Sequence, residues 1–274
     1  MLSFLIILTL AFNSAMVAPA LSHEPGGISW QEIGRGLSLA QLAVKENDHL
    51  VAQVTAVRID PNFNAFRLFH GPSRPLTKWQ EETGAVVMFN GGYFTPAGKP
   101  VGLVISDGVF FGPSRNPAMK GMFVAEPKGV SPDLPRATIL DLQAVTVDLK
   151  RLPWSQGLMS YPLLLDPQGR LRVKSTNRPA PRTVICTDRQ GYIIVLHTVD
   201  NHFTLYNFAR FIKDSELDIE YALNLDGGSK AQLLIRTEQV SFTSPPRLAQ
   251  PSWGLLSDKS YWLPTVIGVF PRRD

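Results

Sequence analysis

Between His49 and Asp60 apolar and polar positions alternate, with Leu50, Ala52, Val54 and Ala56 on one face and Gln53 and Thr55 on the other. A period of two predicts a half-buried strand, and Asn64–His70 reads as its hairpin partner. Leu76–Thr83 predicts a short helix with Pro75 at its first position, where a missing N–H costs nothing. A strand is expected over Ala85–Phe89, a hairpin over Val101–Phe111 turning at Asp107-Gly108, and a short strand over Met122–Ala125 within the loop-rich residues 112–136. Leu163–Leu165 and Leu171–Val173 flank the turn Asp166-Pro167-Gln168-Gly169.

The carboxyl half is patterned more strongly. Thr183–Thr187 and Tyr192–Thr198 flank Asp188-Arg189-Gln190-Gly191 and are apolar on both faces, so they belong in the middle of a sheet. After Thr204, a residue suited to capping, Leu205, Phe208, Ala209 and Ile212 follow helical spacing. Strands are then expected over Ile219–Leu225, Ala231–Arg236 and Thr265–Phe270. Residues 23–35 show little periodicity and read as a leader into the fold. Strands outnumber helices, and the expected fold class is α+β: a mixed, mostly antiparallel β-sheet core with few helices, in a single domain.

Composition adjusts this picture only slightly. The 22 prolines and 21 glycines imply many turns, and 44% hydrophobic residues in 274 suffice for one core spanning residues 23–274. A formal charge of +4 without a Lys/Arg run argues against a nucleic-acid partner. Met1–Ser22 reads as a signal peptide, because the apolar run Leu2–Leu10 precedes the small-x-small pattern Ala18-Pro19-Ala20. That run falls short of the about 20 apolar residues a bilayer span needs. The expected location is therefore periplasmic or secreted, with no transmembrane span after signal cleavage. The one cysteine, Cys186, cannot form an internal disulfide and reads as a buried filler inside a strand.

Candidate chemistry starts at Asn224-Leu225-Asp226-Gly227-Gly228-Ser229, between two apolar runs. An acid at a strand end followed by two glycines can present a catalytic carboxylate to a ligand, and it can equally build a tight hairpin. Met88-Phe89-Asn90-Gly91-Gly92-Tyr93-Phe94 repeats the design, Gly102-Leu103-Val104-Ile105-Ser106-Asp107-Gly108 follows it, and Pro181-Arg182-Thr183 opens a central strand. In order and rough spacing these four motifs resemble the phosphodiester glycosidase family, whose type member removes N-acetylglucosamine from mannose 6-phosphate diesters. The resemblance spans roughly Trp30 to Phe270 and is nearest to small bacterial secreted members.

The resemblance implies an exported hydrolase that cleaves a glycosyl-phosphate diester in envelope or extracellular glycans, its partner being a glycan or sugar-phosphate substrate. Cleavage at an anomeric carbon passes through an oxocarbenium-like state, which a carboxylate stabilises or which water activated by a carboxylate attacks. Asp226 is the first candidate for that carboxylate and Asp200 the second, each with an ordinary turn acid as its alternative. Arg182 is the candidate phosphate fork, beside Thr183. Asn90 would hydrogen-bond sugar hydroxyls or orient water, and Tyr93 would stack on a sugar face or serve the core. Gly91, Gly92, Gly227, Gly228 and Ser229 complete the expected binding set. The Ser229-Lys230 pair departs from the family pattern, in which many members carry an extra small residue before the serine. His197 alternates with Val195 and Val199 and reads as a core histidine.

No cofactor is expected. No metal cluster is readable from spacing, while a divalent cation held by carboxylate and carbonyl oxygens stays open. The chain lacks a Gly-x-Ser-x-Gly elbow, a His-Glu-x-x-His pair, a P-loop and paired Cys-x-x-Cys. Two rivals remain beside the glycosidase: a binding protein for envelope glycans that keeps the pocket without turnover, and a phosphodiesterase that cleaves the P–O bond.

Overall fold

The computed structural model describes residues 27–129, 134–249 and 259–273. The expected signal peptide and its cleavage pattern lie outside the described residues. In chain order the elements are β1 (Gln31–Gly34), β2 (Leu37–Glu46), β3 (His49–Ile59), β4 (Asn64–Arg74), α1 (Leu76–Thr83), β5 (Val87–Asn90), β6 (Val104–Ser106) and β7 (Val109–Phe111). Then come β8 (Gly121–Pro127), β9 (Ala137–Asp141), β10 (Trp154–Ser160), β11 (Leu163–Leu165), β12 (Thr183–Asp188) and β13 (Ile193–His197). The chain closes with α2 (Leu205–Asp214), β14 (Ile219–Asn224), β15 (Leu233–Arg236), β16 (Ser241–Ser244) and β17 (Leu263–Pro271).

The fold is α+β and its described strand pairings are antiparallel. The strands form three sheets rather than one, ordered β1-β2-β3-β13-β12-β14-β11, β7-β6-β10-β8-β9 and β16-β15-β5-β17-β4. Their inner faces meet in one core to which Val57 and Val195 of the first sheet, Phe123 and Leu158 of the second, and Phe89 and Ile267 of the third all contribute. The outer face of the first sheet is covered by Phe208, Ala209, Phe211 and Ile212 of α2. Strands β12 and β13 are therefore buried on both faces, which explains their unbroken apolar run. Thr204 caps α2, its hydroxyl oxygen accepting from the Asn207 N–H at 3.1 Å. Cys186 is fully buried, and burial pushes its thiol well above the usual range.

Several expectations need correction. The hairpin partner of β3 is β2, not β4, and the turn between them is Asn47-Asp48, both at positive φ. That primed geometry matches the twist of the paired strands. Strand β4 instead crosses to the third sheet and pairs with β17. The segment read as a leader contains β1, which pairs with β2. Leu171–Val173 contributes only a bridge from Leu171 to Leu165. The hairpin at Asp107-Gly108 forms as read, with both turn residues at positive φ. Among the described residues no helix is long and apolar enough to cross a membrane.

Candidate active site

The motifs meet where β5, β10, β12 and β14 end or begin. Asn90 ends β5 and is fully buried. Its Nδ2 donates to the carbonyls of Asp226 at 2.8 Å and Gly91 at 3.1 Å, while its Oδ1 accepts from the Gln232 N–H at 3.1 Å. The Asp226 N–H in turn donates to the Gly91 carbonyl at 3.2 Å. The two Gly-Gly loops are thus laced together through Asn90. An added Cβ at Gly91 would stand 2.9 Å from the Thr265 carbonyl, so the loop can lie against β17 only without a side chain.

Asp226 follows β14 and is half-buried, and one carboxylate oxygen accepts from the Gly227 N–H at 2.9 Å. Desolvation raises its pKa to about 6, against the opposing pull of that N–H and of the Lys230 charge. The group thus titrates close to neutrality, as a working acid or base requires.

Arg182 opens β12 and is buried, with 8% of its surface exposed. Its Nη2 donates to the Arg178 carbonyl at 2.8 Å and its Nε to the Phe203 carbonyl at 3.3 Å. No carboxylate pairs with it among the described residues, and burial lowers its pKa. A Cβ added at Gly227 would lie 3.5 Å from Arg182 Nη1 and 3.0 Å from the Pro181 carbonyl. Glycine at position 227 leaves space beside the guanidinium nitrogen, Nη1, that forms no hydrogen bond among the described residues. The Gly228 N–H fastens the loop to Pro181, donating to its carbonyl at 3.0 Å.

Tyr93 stacks on Tyr161, ring centroids 4.4 Å apart and planes 28° from parallel. Its hydroxyl accepts from Asn224 Nδ2 at 2.7 Å. Burial and the Asp226 charge push its pKa well above the usual phenol value, while Arg182 acts in the opposite sense. Tyr93 therefore stays protonated and keeps its own O–H to donate. Gly92 packs beside it, where an added Cβ would meet the Met159 carbonyl at 3.3 Å. Asn224 was not singled out from the sequence, although it sits two residues before Asp226. Its Oδ1 is buried without a partner among the described residues.

Other expected site residues have their side chains engaged within the protein or lie away from this cluster. Asn90 is not free to meet a sugar, because its amide is spent on holding Asp226. Thr183 is fully buried and its hydroxyl pairs with His197 Nδ1 at 3.2 Å, while His197 Nε2 pairs with Ser244 at 2.8 Å. Burial lowers the His197 pKa to about 3, so the ring is a neutral core group. Ser229 is exposed and donates to the Ser260 carbonyl at 3.1 Å, so its hydroxyl anchors the loop. Asp200 is exposed past the end of β13 and no described contact joins it to Asp226, Arg182 or Tyr93. It lines a separate cavity of about 170 Å³ with Gln41, Gln53 and His197. Among the described residues no group of three or more His, Cys, Asp or Glu side chains is placed to hold a metal ion.

The model of the phosphodiester glycosidase family matches residues 83–270, and the chain belongs to that family. None of the curated proteins matches it in sequence. Among solved structures it is similar to the catalytic domain of zebrafish N-acetylglucosamine-1-phosphodiester alpha-N-acetylglucosaminidase, auto-inhibited by its pro-peptide. There the TM-score is 0.59 at 16% identity, over 93% of this chain and 87% of that one. A protein of Synechocystis matches with a TM-score of 0.58 at 18% identity, over 91% of this chain and 64% of that one. A protein of Burkholderia pseudomallei K96243, proposed to be exported, matches with a TM-score of 0.54 at 11% identity, over 95% and 100% of the two chains. At these identities the likeness is one of fold.

Proposed function

We propose that this chain hydrolyses a glycosyl-phosphate diester at the sugar carbon, with Asp226 as the catalytic carboxylate and Arg182 as the phosphate-binding residue. The observation that carries the reading is a buried guanidinium, bonded among the described residues to carbonyls alone, and a half-buried carboxylate that titrates at about 6, both close enough to Tyr93 to act on its hydroxyl. A buried cation without a protein counter-ion is costly. A phosphodiester would supply the counter-ion that Arg182 lacks among the described residues, and its planar fork suits two phosphate oxygens.

In this reading the ionised Asp226 stabilises the positive charge that grows at the anomeric carbon, or takes the proton of the attacking water. The water oxygen bonds to the sugar carbon, the bond from that carbon to the bridging oxygen breaks, and a phosphate monoester leaves. That leaving group departs as a stabilised anion on Arg182, so one carboxylate suffices and Asp200 is not required. The Tyr93 hydroxyl supplies a donor within the site, and the Tyr93–Tyr161 pair borders it. The zebrafish relative, which acts on a sugar phosphodiester, supports the substrate class. Export to the periplasm or beyond is supported by the apolar Leu2–Leu10 run and by the proposed export of the Burkholderia relative.

Turnover of a chromogenic sugar phosphodiester in heavy-oxygen water tests this reading. Label in the released sugar is the expected result. Label in the phosphate product would instead assign P–O cleavage, and affinity without product would make the chain a glycan-binding protein.

A further inference from the structure

At the opposite end of β17 from the Asp226 cluster lies an open groove of about 1260 Å³. Asn90 pairs with Val266 near the start of that strand, whereas Phe270, Pro271 and Arg272 at its end line the groove. At about 3.3 Å per residue the two sites lie roughly 20 Å apart. Four arginines line the groove, Arg67, Arg136, Arg272 and Arg273, against two acids, Asp107 and Glu126.

Both acids are already engaged. The Glu126 carboxylate accepts from Arg272 Nη1 and Nη2 at 2.8 and 2.7 Å and from the Phe66 N–H at 3.0 Å. Asp107 accepts from Gln156 Nε2 at 2.6 Å. Arg272 is pinned further by donating its Nε–H to the Pro61 carbonyl at 2.9 Å. Arg272 and Glu126 are therefore held in place by groups of the protein itself. Arg67, Arg136 and Arg273 are exposed and form no ion pair among the described residues. Three guanidinium groups without an ion-pair partner among the described residues thus line one concavity. The Arg67 guanidinium also lies 5.5 Å from the centre of the Phe270 ring, which lines the same groove.

We propose that this groove binds an acidic glycan, a saccharide chain carrying phosphodiester or carboxylate groups along its length. The arginines supply charge-assisted donors for the anions. The partly exposed Phe270 ring offers an apolar face for a sugar ring. The volume exceeds the about 300–1000 Å³ of ordinary small-molecule pockets and suits several residues of a polymer. A lipid surface is met by protruding side chains, and here the charges line a hollow. The site is independent of turnover at Asp226.

The test compares the full chain with a triple variant, Arg67→Gln, Arg136→Gln and Arg273→Gln, at exposed positions where folding is checked by thermal melting. The probes are polygalacturonate, a phosphodiester-linked glycan, phosphatidylglycerol vesicles and a single-stranded oligonucleotide, each at low and moderate salt. The expected result is binding of at least one glycan that weakens with salt and falls about tenfold or more in the triple variant. Which glycan binds separates the carboxylate from the phosphate source. Turnover of a small sugar phosphodiester should be unchanged in that variant, and Arg182→Lys should bind the polymer as wild type does. Undiminished glycan binding by the triple variant would overturn the proposal. So would tighter binding of vesicles or oligonucleotide than of either glycan, or equal loss in Arg182→Lys.

Discussion

The side-chain amide of Asn90 donates to the main-chain carbonyl of Asp226 at 2.8 Å, across 136 positions of sequence. This bond, with the Asp226 N–H to the Gly91 carbonyl, fixes the backbone that presents the carboxylate. The first Gly-Gly motif therefore holds the second in place.

Asn90→Ala should lower both stability and turnover. It strands the Asp226 carbonyl and the Gln232 N–H in a buried setting, while the Gly91 carbonyl keeps the Asp226 N–H. Orphaned buried polar groups cost about 1–3 kcal/mol, so the urea midpoint should fall measurably. Turnover should drop further than substrate affinity, since Arg182 is untouched. An unchanged midpoint would show that the lacing carries no energy.

Asp226→Asn should make the fold more stable at neutral pH. The folded carboxyl titrates at about 6, above its ordinary 3.8, so the folded chain holds the proton more tightly than the unfolded chain does. The wild type's stabilising contribution is complete below about 3.8 and is lost as pH rises through about 6. Asparagine stays neutral throughout, so its advantage should be nearly absent near pH 3.5, grow up to about pH 6 and level off above it at about 3 kcal/mol. Melting curves across that range check this. An advantage independent of pH would mean that the carboxyl is not strained by burial.

Arg182→Lys should bind a phosphodiester poorly although the charge is kept. Lysine presents a point charge and lacks two parallel N–H donors. The loss should be about ten- to a hundredfold for the phosphodiester and slight for a neutral glycoside of the same sugar, measured by calorimetry. Equal losses for both would make Arg182 a scaffold residue.

The carboxyl half is readable because β12, β13 and α2 carry uniform or helical apolar spacing, and the Asp188-Arg189-Gln190-Gly191 turn and Thr204 mark their ends in local chemistry. Strand β10 was not readable: it is buried almost throughout, yet it carries Gln156, Gly157 and Ser160. Those polar groups are satisfied from other strands, Gln156 Oε1 accepting from the Leu68 N–H at 2.9 Å. The separation into three sheets was hidden for a related reason. Strand β5 lies between β15 and β17, partners far along the chain that no local pattern names. Of the proposed site, Asp226, Arg182 and Tyr93 lie in motifs visible in the sequence, whereas the bonds that hold the side chains of Asn90 and Thr183 inside the protein appear only in the fold. Asn224 carries no sequence signal of its own, because its bond to the Tyr93 hydroxyl exists only once the fold brings the two to 2.7 Å.

The pH dependence of kcat/KM on a sugar phosphodiester, measured side by side for wild type and Asp226→Asn, tests the central claim most directly. Wild type should rise through about pH 6 to a plateau as the carboxyl ionises. The variant should lie about 10²–10⁴-fold lower at the plateau and lack that limb. Wild-type turnover in the variant, with the same limb near pH 6, would contradict the assignment of Asp226.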